Sequence, residues 1–195
     1  MDFTKKKVLI VGTKKSGMAA LSLLKLHGAD TVLYDGNEEA KEADIRAELP
    51  EGVTTDICIG KLPEELKNAI QLVVISPGVP IDSPLVLEFQ KMEVPVWGEI
   101  ELAYAIEKGK VLAITGTNGK TTTTALLGQI MEEATAKSIT VGNIGIPYTQ
   151  MVSETREDSV TVAEISSFQL ETVHTFHPKV SAILNVTPDH LDRHH

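Results

Sequence analysis

Short, unbroken runs of Val, Ile and Leu alternate with helix-like segments along nearly the whole chain, and this alternation restricts the fold more than any other feature. "KVLIVG", "TVLYD", "TTDICIG", "LVVISPG" and "VPVWG" are apolar at consecutive positions, so neither face of such a strand is left for water. Between them lie helical stretches from Ser16 to about His27, around Glu38–Leu49, opening at Pro63, and near Pro84–Met92. Strand–helix repetition at this spacing predicts a doubly wound, Rossmann-like α/β unit with a parallel sheet. A helix near Glu99–Lys108 then leads to Gly109, and a second series begins: "KVLAITG", a helix from Lys120 to about Glu133, "SITVG", "SVTVAEISS" and "VSAILNV". Punctuation at Gly109 divides the chain into units of residues 1–109 and 110–195, in keeping with roughly 150 residues per domain.

With 42% hydrophobic residues the 195-residue chain can bury a sizeable core. No apolar run approaches the roughly 18 residues of a membrane span. The basic start "MDFTKKK" leads into too short an apolar run, with no small-residue cleavage site, for a signal peptide. Cys58 is the only cysteine, so no internal disulfide can form and a cytoplasmic location is expected, with the thiol packed as a small apolar group. Net charge is −9 and both halves are acidic, which argues against a nucleic-acid surface. The acidic stretch "NEEAKEADIRAEL" reads as the wet face of a helix.

The sharpest chemical signal is "ITGTNGKTTTTALL". It lacks the first glycine of the full G-x-x-x-x-G-K-[ST] loop, whose place is taken by Ile114. What remains, Gly116-Thr117-Asn118-Gly119-Lys120-Thr121, still joins a strand to a helix whose open N–H groups face an anion. Lys120 can place a charge on outer phosphates, the Thr121 hydroxyl can ligate Mg²⁺, and Thr122 can donate to a phosphate or finish the first helical turn. An ATP or GTP site is expected, within a P-loop-type α/β unit. That unit stops soon after a strand, at "TPDHLDRHH", so the chain reads as a piece of a longer protein, with His194 and His195 either native or part of an affinity tag.

In the first unit, "VGTKKSG" sits where a dinucleotide fingerprint would. Gly12 and Gly17 fit, but Lys14 stands where a second glycine belongs, which weakens an NAD reading. Asp35 ends the second strand, as a ribose-binding acid would or as a turn residue before Gly36-Asn37 would. Ser76-Pro77-Gly78 ends a later strand on the ligand side of such a sheet. Glu164 lies inside an apolar strand, where a carboxylate needs Mg²⁺, a salt bridge or backbone hydrogen bonds. Asn143 in "VGNIG" is a turn signal, and His190 follows a strand, open to a structural, metal or substrate role.

Together, "GTNGKTT", "VGNIG", "AEISSFQLE" and "ILNVTPDHLDR" resemble the ATP-dependent Mur ligases of peptidoglycan synthesis, in order and in spacing. "VGTKKSGMAA", "SPGVP", "WGEIELA" and "SSFQLE" resemble the branch adding D-glutamate to UDP-N-acetylmuramoyl-L-alanine. The short phosphate loop belongs to that family's pattern. The resemblance implies that Lys15, Ser16 and Gly17 approach the substrate diphosphate. It places Asp35, Gly36, Asn37, Ser76, Pro77 and Gly78 around the uridine, and Gly116 to Thr122 around ATP. Thr121 and Glu164 would share one Mg²⁺ and His190 a second, while Asn143, Ser166 and Gln169 would touch the muramoyl part. Lys120, Glu164 and His190 are then the expected catalytic residues of an acyl-phosphate mechanism in a monomeric ligase. A carbamylated lysine a short way past His190 and a third domain, both part of the family pattern, lie outside this chain, which is expected to bind the UDP substrate without turning it over. A nucleotide-sensing switch, a nicotinamide oxidoreductase and a kinase are the competing readings, and none of them uses "SSFQLE" and "TPDHLD".

Overall fold

Each apolar run becomes a strand of one of two parallel sheets in the computed structural model, which describes residues 1–135, 137–143 and 145–194. The first sheet contains β1 (Lys7–Val11), β2 (Asp30–Asp35), β3 (Asp56–Ile59), β4 (Leu72–Ile75) and β5 (Val96–Gly98), in the order β3-β2-β1-β4-β5. The second contains β6 (Lys110–Thr115), β7 (Ser138–Gly142), β8 (Val160–Glu164) and β9 (Val180–Ile183), in the order β7-β8-β6-β9. Val8 to Val11 and Leu72 to Ile75 are buried throughout, because helices cover both faces of the first sheet. The edge strand β9 departs from the both-faces-covered expectation, with Val180 59% and Ile183 68% exposed.

Helix α1 (Lys15–Leu26) buries Leu21 and Leu24 on one face and stops where Gly28 enters the left-handed region at φ 75°. There Gly28 N donates to Lys25 O and Ala29 N to Leu24 O, so the last carbonyls find partners in a Schellman turn. Helix α2 spans only Glu42–Ala47, shorter than the Glu38–Leu49 stretch expected. Asn37 accounts for the lost turn, since its side-chain oxygen takes the Glu39 amide and its carbonyl takes the Ala40 amide. Helices α3 (Glu64–Ala69), α4 (Pro84–Lys91) and α6 (Lys120–Thr135) follow the expected pattern. Two short helices, α7 (Tyr148–Met151) and α8 (Ser167–Leu170), are too brief for periodicity to reveal, and α9 (Leu191–His194) closes the described chain. His195, half of the native-or-tag question, lies outside the described residues.

Helix α5 (Glu99–Tyr104) also ends early, and the connector after it is tied down. Glu107 accepts from Gly109 N at 2.6 Å, Tyr148 Oη at 2.7 Å and Thr161 Oγ1 at 2.9 Å, so it fastens the Gly109 region to the second sheet. One apolar cluster runs across both sheets, joining Ile10 and Leu72 through Ile100 and Leu102 to Val141, Tyr148 and Ile165. No helix among the described residues is long and apolar enough to cross a membrane. Cys58 lies half-buried in β3, with its thiol pushed up by burial.

Glu101 is fully buried and accepts from His174 N, from Thr175 N and Oγ1, and from Phe176 N, at 2.5–3.1 Å. Burial draws its pKa upward, but these hydrogen bonds outweigh it and the net direction is down. A carboxyl held low in the fold contributes stability above its ordinary value, near pH 4.5, that is lost as pH falls through the folded value. Acid unfolding followed by circular dichroism should therefore begin at a higher pH in the parent than in Glu101→Gln, measured relative to each protein's stability at neutral pH. Parallel acid profiles would show that this carboxylate is not a linked group.

Candidate functional site at two adjoining switch points

Parallel strands put all their C-terminal ends on one side of a sheet, and ligands gather there where neighbouring connections diverge. In the first sheet β1 and β4 are adjacent, but the chain leaves β1 toward β2 and β4 toward β5. In the second, β6 and β8 are adjacent, and the chain leaves them toward β7 and β9 respectively.

A crevice of about 710 Å³ lies at the first of these points. The Gly12–Lys14 turn after β1 with Lys15 and Ser16 opening α1, Asp35 after β2 and Ser76 to Val79 after β4 form one side, while Glu99, Asn143, Gly145 and Gln169 face them. Asp35 lines the crevice and also serves a turn: Oδ2 accepts from Thr13 Oγ1 at 2.6 Å, and Oδ1 accepts the Asn37 amide at 2.9 Å. Gly36 and Asn37 do not line the crevice, because Asn37 is turned outward to cap the following turn. Gly17 also stands back from it. A Cβ there would sit 1.9 Å from Gly12 O, so this glycine lets α1 pack on the turn. Lys15 Nζ crosses the crevice and donates to Gly145 O.

A second cavity of about 690 Å³ opens at the other switch point. Gly116, Thr117 and Lys120 line it, with Ser166, Asn185 and His190 opposite, and Asn143 borders both cavities. The Lys120 ammonium donates to Gly116 O at 2.7 Å and Thr117 O at 3.0 Å, drawing the loop carbonyls to one side. Asn185 clasps the loop from the end of β9. Its carbonyl accepts Thr117 N at 3.0 Å, Oδ1 accepts Asn118 N at 2.9 Å, and Nδ2 donates to Asn118 O at 2.9 Å. Asn185 has no local signature, since an asparagine after a strand carries no signal that it will meet a loop 67 residues away. Asn118, Gly119, Thr121 and Thr122 lie outside this cavity's lining, at the opening turn of α6. The amides there have no partner four residues back, the arrangement that suits a phosphate.

Glu164 ends β8 with 2% exposure, and among the described residues a single side-chain hydrogen bond reaches it, from Asn143 Nδ2 at 3.2 Å. A buried carboxylate satisfied by one neutral amide retains lone pairs for a cation. His190 has left-handed backbone, φ 49°, with its ring 4.9 Å from that of Phe168 and Nε2 3.8 Å from Asp189 Oδ2. Among the described residues no three His, Cys, Asp or Glu side chains are grouped so that they could hold a metal ion. Mg²⁺ bound with a nucleotide needs only one or two protein ligands beside phosphates and water, and the pair Thr121 and Glu164 fits that sparse donor set.

Ser166 and Gln169, expected as ligand contacts, form a capping box for α8. Gln169 N donates to Ser166 Oγ at 3.2 Å, and Ser166 N to Gln169 Oε1 at 2.9 Å. The S-x-x-Q spacing in "SSFQ" was the available signal. Gln169 Nε2 then donates to Oε2 of Glu99, a further crevice residue absent from the sequence expectations, at 3.3 Å. Burial holds the Glu99 carboxyl above its ordinary range, against the opposing influence of the Tyr148 and Thr149 amides, Gln169 and Lys15, and its Oε1 has no partner among the described residues. Its position directly after the last strand of the first sheet could have marked it.

Comparison with known proteins matches residues 6–98 to a family described as the Mur ligase MurD-like N-terminal domain, and residues 114–195 to the Mur ligase middle domain. Similar curated relatives include a UDP-N-acetylmuramoylalanine–D-glutamate ligase of Lachnospira eligens, 60% identical over 195 residues, and one of Lachnoclostridium phytofermentans, 57% identical. Both matches take in all of this chain, which spans 43% of each relative's length. Among solved structures, UDP-N-acetylmuramate:L-alanyl-gamma-D-glutamyl-meso-diaminopimelate ligase from Neisseria meningitides aligns over 98% of this chain and 64% of its own, with TM-score 0.57 and 17% identity. UDP-N-acetylmuramate-alanine ligase from Thermotoga maritima aligns over 96% and 43%, with TM-score 0.52 and 22% identity. These two bear on the fold.

Proposed function

Because the chain belongs to the Mur ligase family, with a MurD-like N-terminal domain and a middle domain, we propose that the protein it represents joins D-glutamate to UDP-N-acetylmuramoyl-L-alanine at the expense of ATP. The observation carrying this reading is the pair of adjoining cavities at the two switch points, with Asn143 in the wall of both. One large anionic substrate can then lie in the crevice and present its reacting end to the phosphate cradle. Residues 1–109 are proposed as the UDP-substrate-binding unit and 110–195 as part of the ATP-binding unit.

In that assignment Lys15 and Ser16 meet the diphosphate, and Asp35 and Ser76 to Gly78 meet the uridine. The carboxylate of the L-alanyl end attacks the terminal phosphorus of ATP, ADP leaves, and an acyl phosphate forms. The D-glutamate amine then adds to the acyl carbon, losing a proton, and the tetrahedral adduct expels inorganic phosphate to leave the amide. Three anionic groups meet in this step, so Lys120 and the amides opening α6 balance charge that develops on the phosphoryl oxygens. Mg²⁺, with Thr121 and Glu164 as its protein ligands and His190 toward a second ion, would supply the remaining charge neutralisation. Asn143, which lines both cavities, orients the Glu164 carboxylate through its Nδ2. A cytoplasmic monomer is the proposed setting.

Calorimetric titration of the 195-residue chain with UDP-N-acetylmuramoyl-L-alanine, UDP and NADH tests this reading. Saturable binding of both uridine ligands and none of NADH is expected. NADH binding in preference to UDP would turn the crevice assignment toward an oxidoreductase. A second reading, in which this chain binds substrate and nucleotide without catalysis, is favoured by its 43% coverage of the relatives. Amide product formed by the chain alone would rule that reading out.

A further inference from the structure

Arg193 lies beyond every motif assigned above except as the last letter of "TPDHLDR", yet its side chain makes more inter-sheet contacts than a surface arginine needs. Nη1 donates to Pro77 O at 3.0 Å, Nη2 to Val79 O at 3.4 Å, and Nη2 also to Glu171 Oε2 at 2.7 Å. The guanidinium carbon sits 4.1 Å over the Phe168 ring, the same ring that the His190 imidazole packs against. The Arg193 and Glu171 side chains are only 19% and 14% exposed, so these bonds are shielded from water. Arg193 N donates to His190 O at 3.0 Å, so the two residues share one turn of backbone.

The two carbonyls belong to the Ser76–Val79 loop, one side of the crevice, and that loop has one backbone bond of its own, Val79 N to Ser76 O at 2.9 Å. A planar fork of five N–H groups can serve two carbonyls and a carboxylate at once, and an ammonium cannot match that geometry. We propose that Arg193 is a positioning residue that holds the Ser76–Val79 loop in its ligand-receiving shape and fastens it to the cradle wall at Phe168 and His190. The inference rests on the uridine reading only for the identity of the crevice ligand. Its physical content is preorganisation: a loop already fixed loses less freedom when the ligand arrives.

The test compares the parent chain with Arg193→Met, which keeps an apolar stem, and Arg193→Lys, which keeps the charge without the fork. Hydrogen exchange of the Gly78 and Val79 amides is measured without ligand, and UDP affinity by calorimetry. Both variants should exchange faster at that loop and bind UDP about tenfold more weakly, the size expected when charged hydrogen bonds to a binding loop are lost. Unchanged exchange in Arg193→Met would overturn the proposal, as would full restoration by Arg193→Lys, or faster exchange with unaltered UDP affinity. If the parent itself fails to bind UDP, the uridine reading falls, and the exchange comparison alone decides the role of Arg193.

Discussion

Alanine at Gly142 is expected to cost the fold about 3 kcal/mol or more, from left-handed backbone strain combined with overpacking against main chain. Gly142 has φ 121°, and a Cβ added there would lie 2.0 Å from Glu164 O. The two residues are partners in the β7–β8 register, and Asn143 N donates to that same carbonyl at 2.9 Å. Nothing soft can give way, because the obstructing atom is backbone in a central strand. The substitution should therefore also displace Glu164 from Asn143 and disturb both cavities. Urea unfolding of Gly142→Ala against the parent measures the loss. Gly78→Ala is the matched control, since a Cβ there meets nothing within 4 Å, and it should fall within about 0.5 kcal/mol of the parent. Equal stability of Gly142→Ala and the parent would mean that β7 and β8 do not meet in this register.

Replacing Lys120 by methionine should lower ATP-dependent turnover by about 10²–10³-fold in the protein at its relatives' full length, the usual effect of removing one preorganised donor from a developing anion. Two roles of the ammonium disappear together. It binds the carbonyls of Gly116 and Thr117, and in the proposed function it is also the positive charge set against the entering phosphates. Arginine should not restore activity, because a broad fork cannot occupy the pocket of two closely spaced carbonyls that one ammonium fills. Stability should change little, since the lysine is only partly buried. Steady-state rates at saturating ATP, with unfolding midpoints measured in parallel, decide the matter. Turnover within about threefold of the parent would remove Lys120 from the transition state.

Much of this architecture was legible from local pattern. Runs such as "VLIV" and "LVVI" can only be satisfied in a strand covered on both faces, and they became β1 and β4. The turn from β6 into α6 was equally legible, because a glycine-bounded turn between strand and helix is a local conformational demand. Where a second local interaction competed, pattern was incomplete: Asn37 took two amides that would have started α2, and Ser166 and Gln169, which line the cavities, also cap α8. The family resemblance implies Gly36 and Asn37 beside Asp35 at the crevice, but only Asp35 lines it, because consecutive residues in a turn point in different directions.

By itself, then, the sequence determined two parallel α/β sheets, the glycine-bounded turn that opens α6 at Lys120, and the buried glutamate ending β8, since each rests on periodicity or spacing within a few residues. Only the tertiary structure decided that Asn143 is common to both cavities, that Glu99 and Gln169 meet between the sheets, and that Arg193 reaches Pro77 across 116 positions of chain. Such meetings depend on how the two sheets share one apolar cluster through α5 and α7, a long-range packing result to which no short window of residues has access.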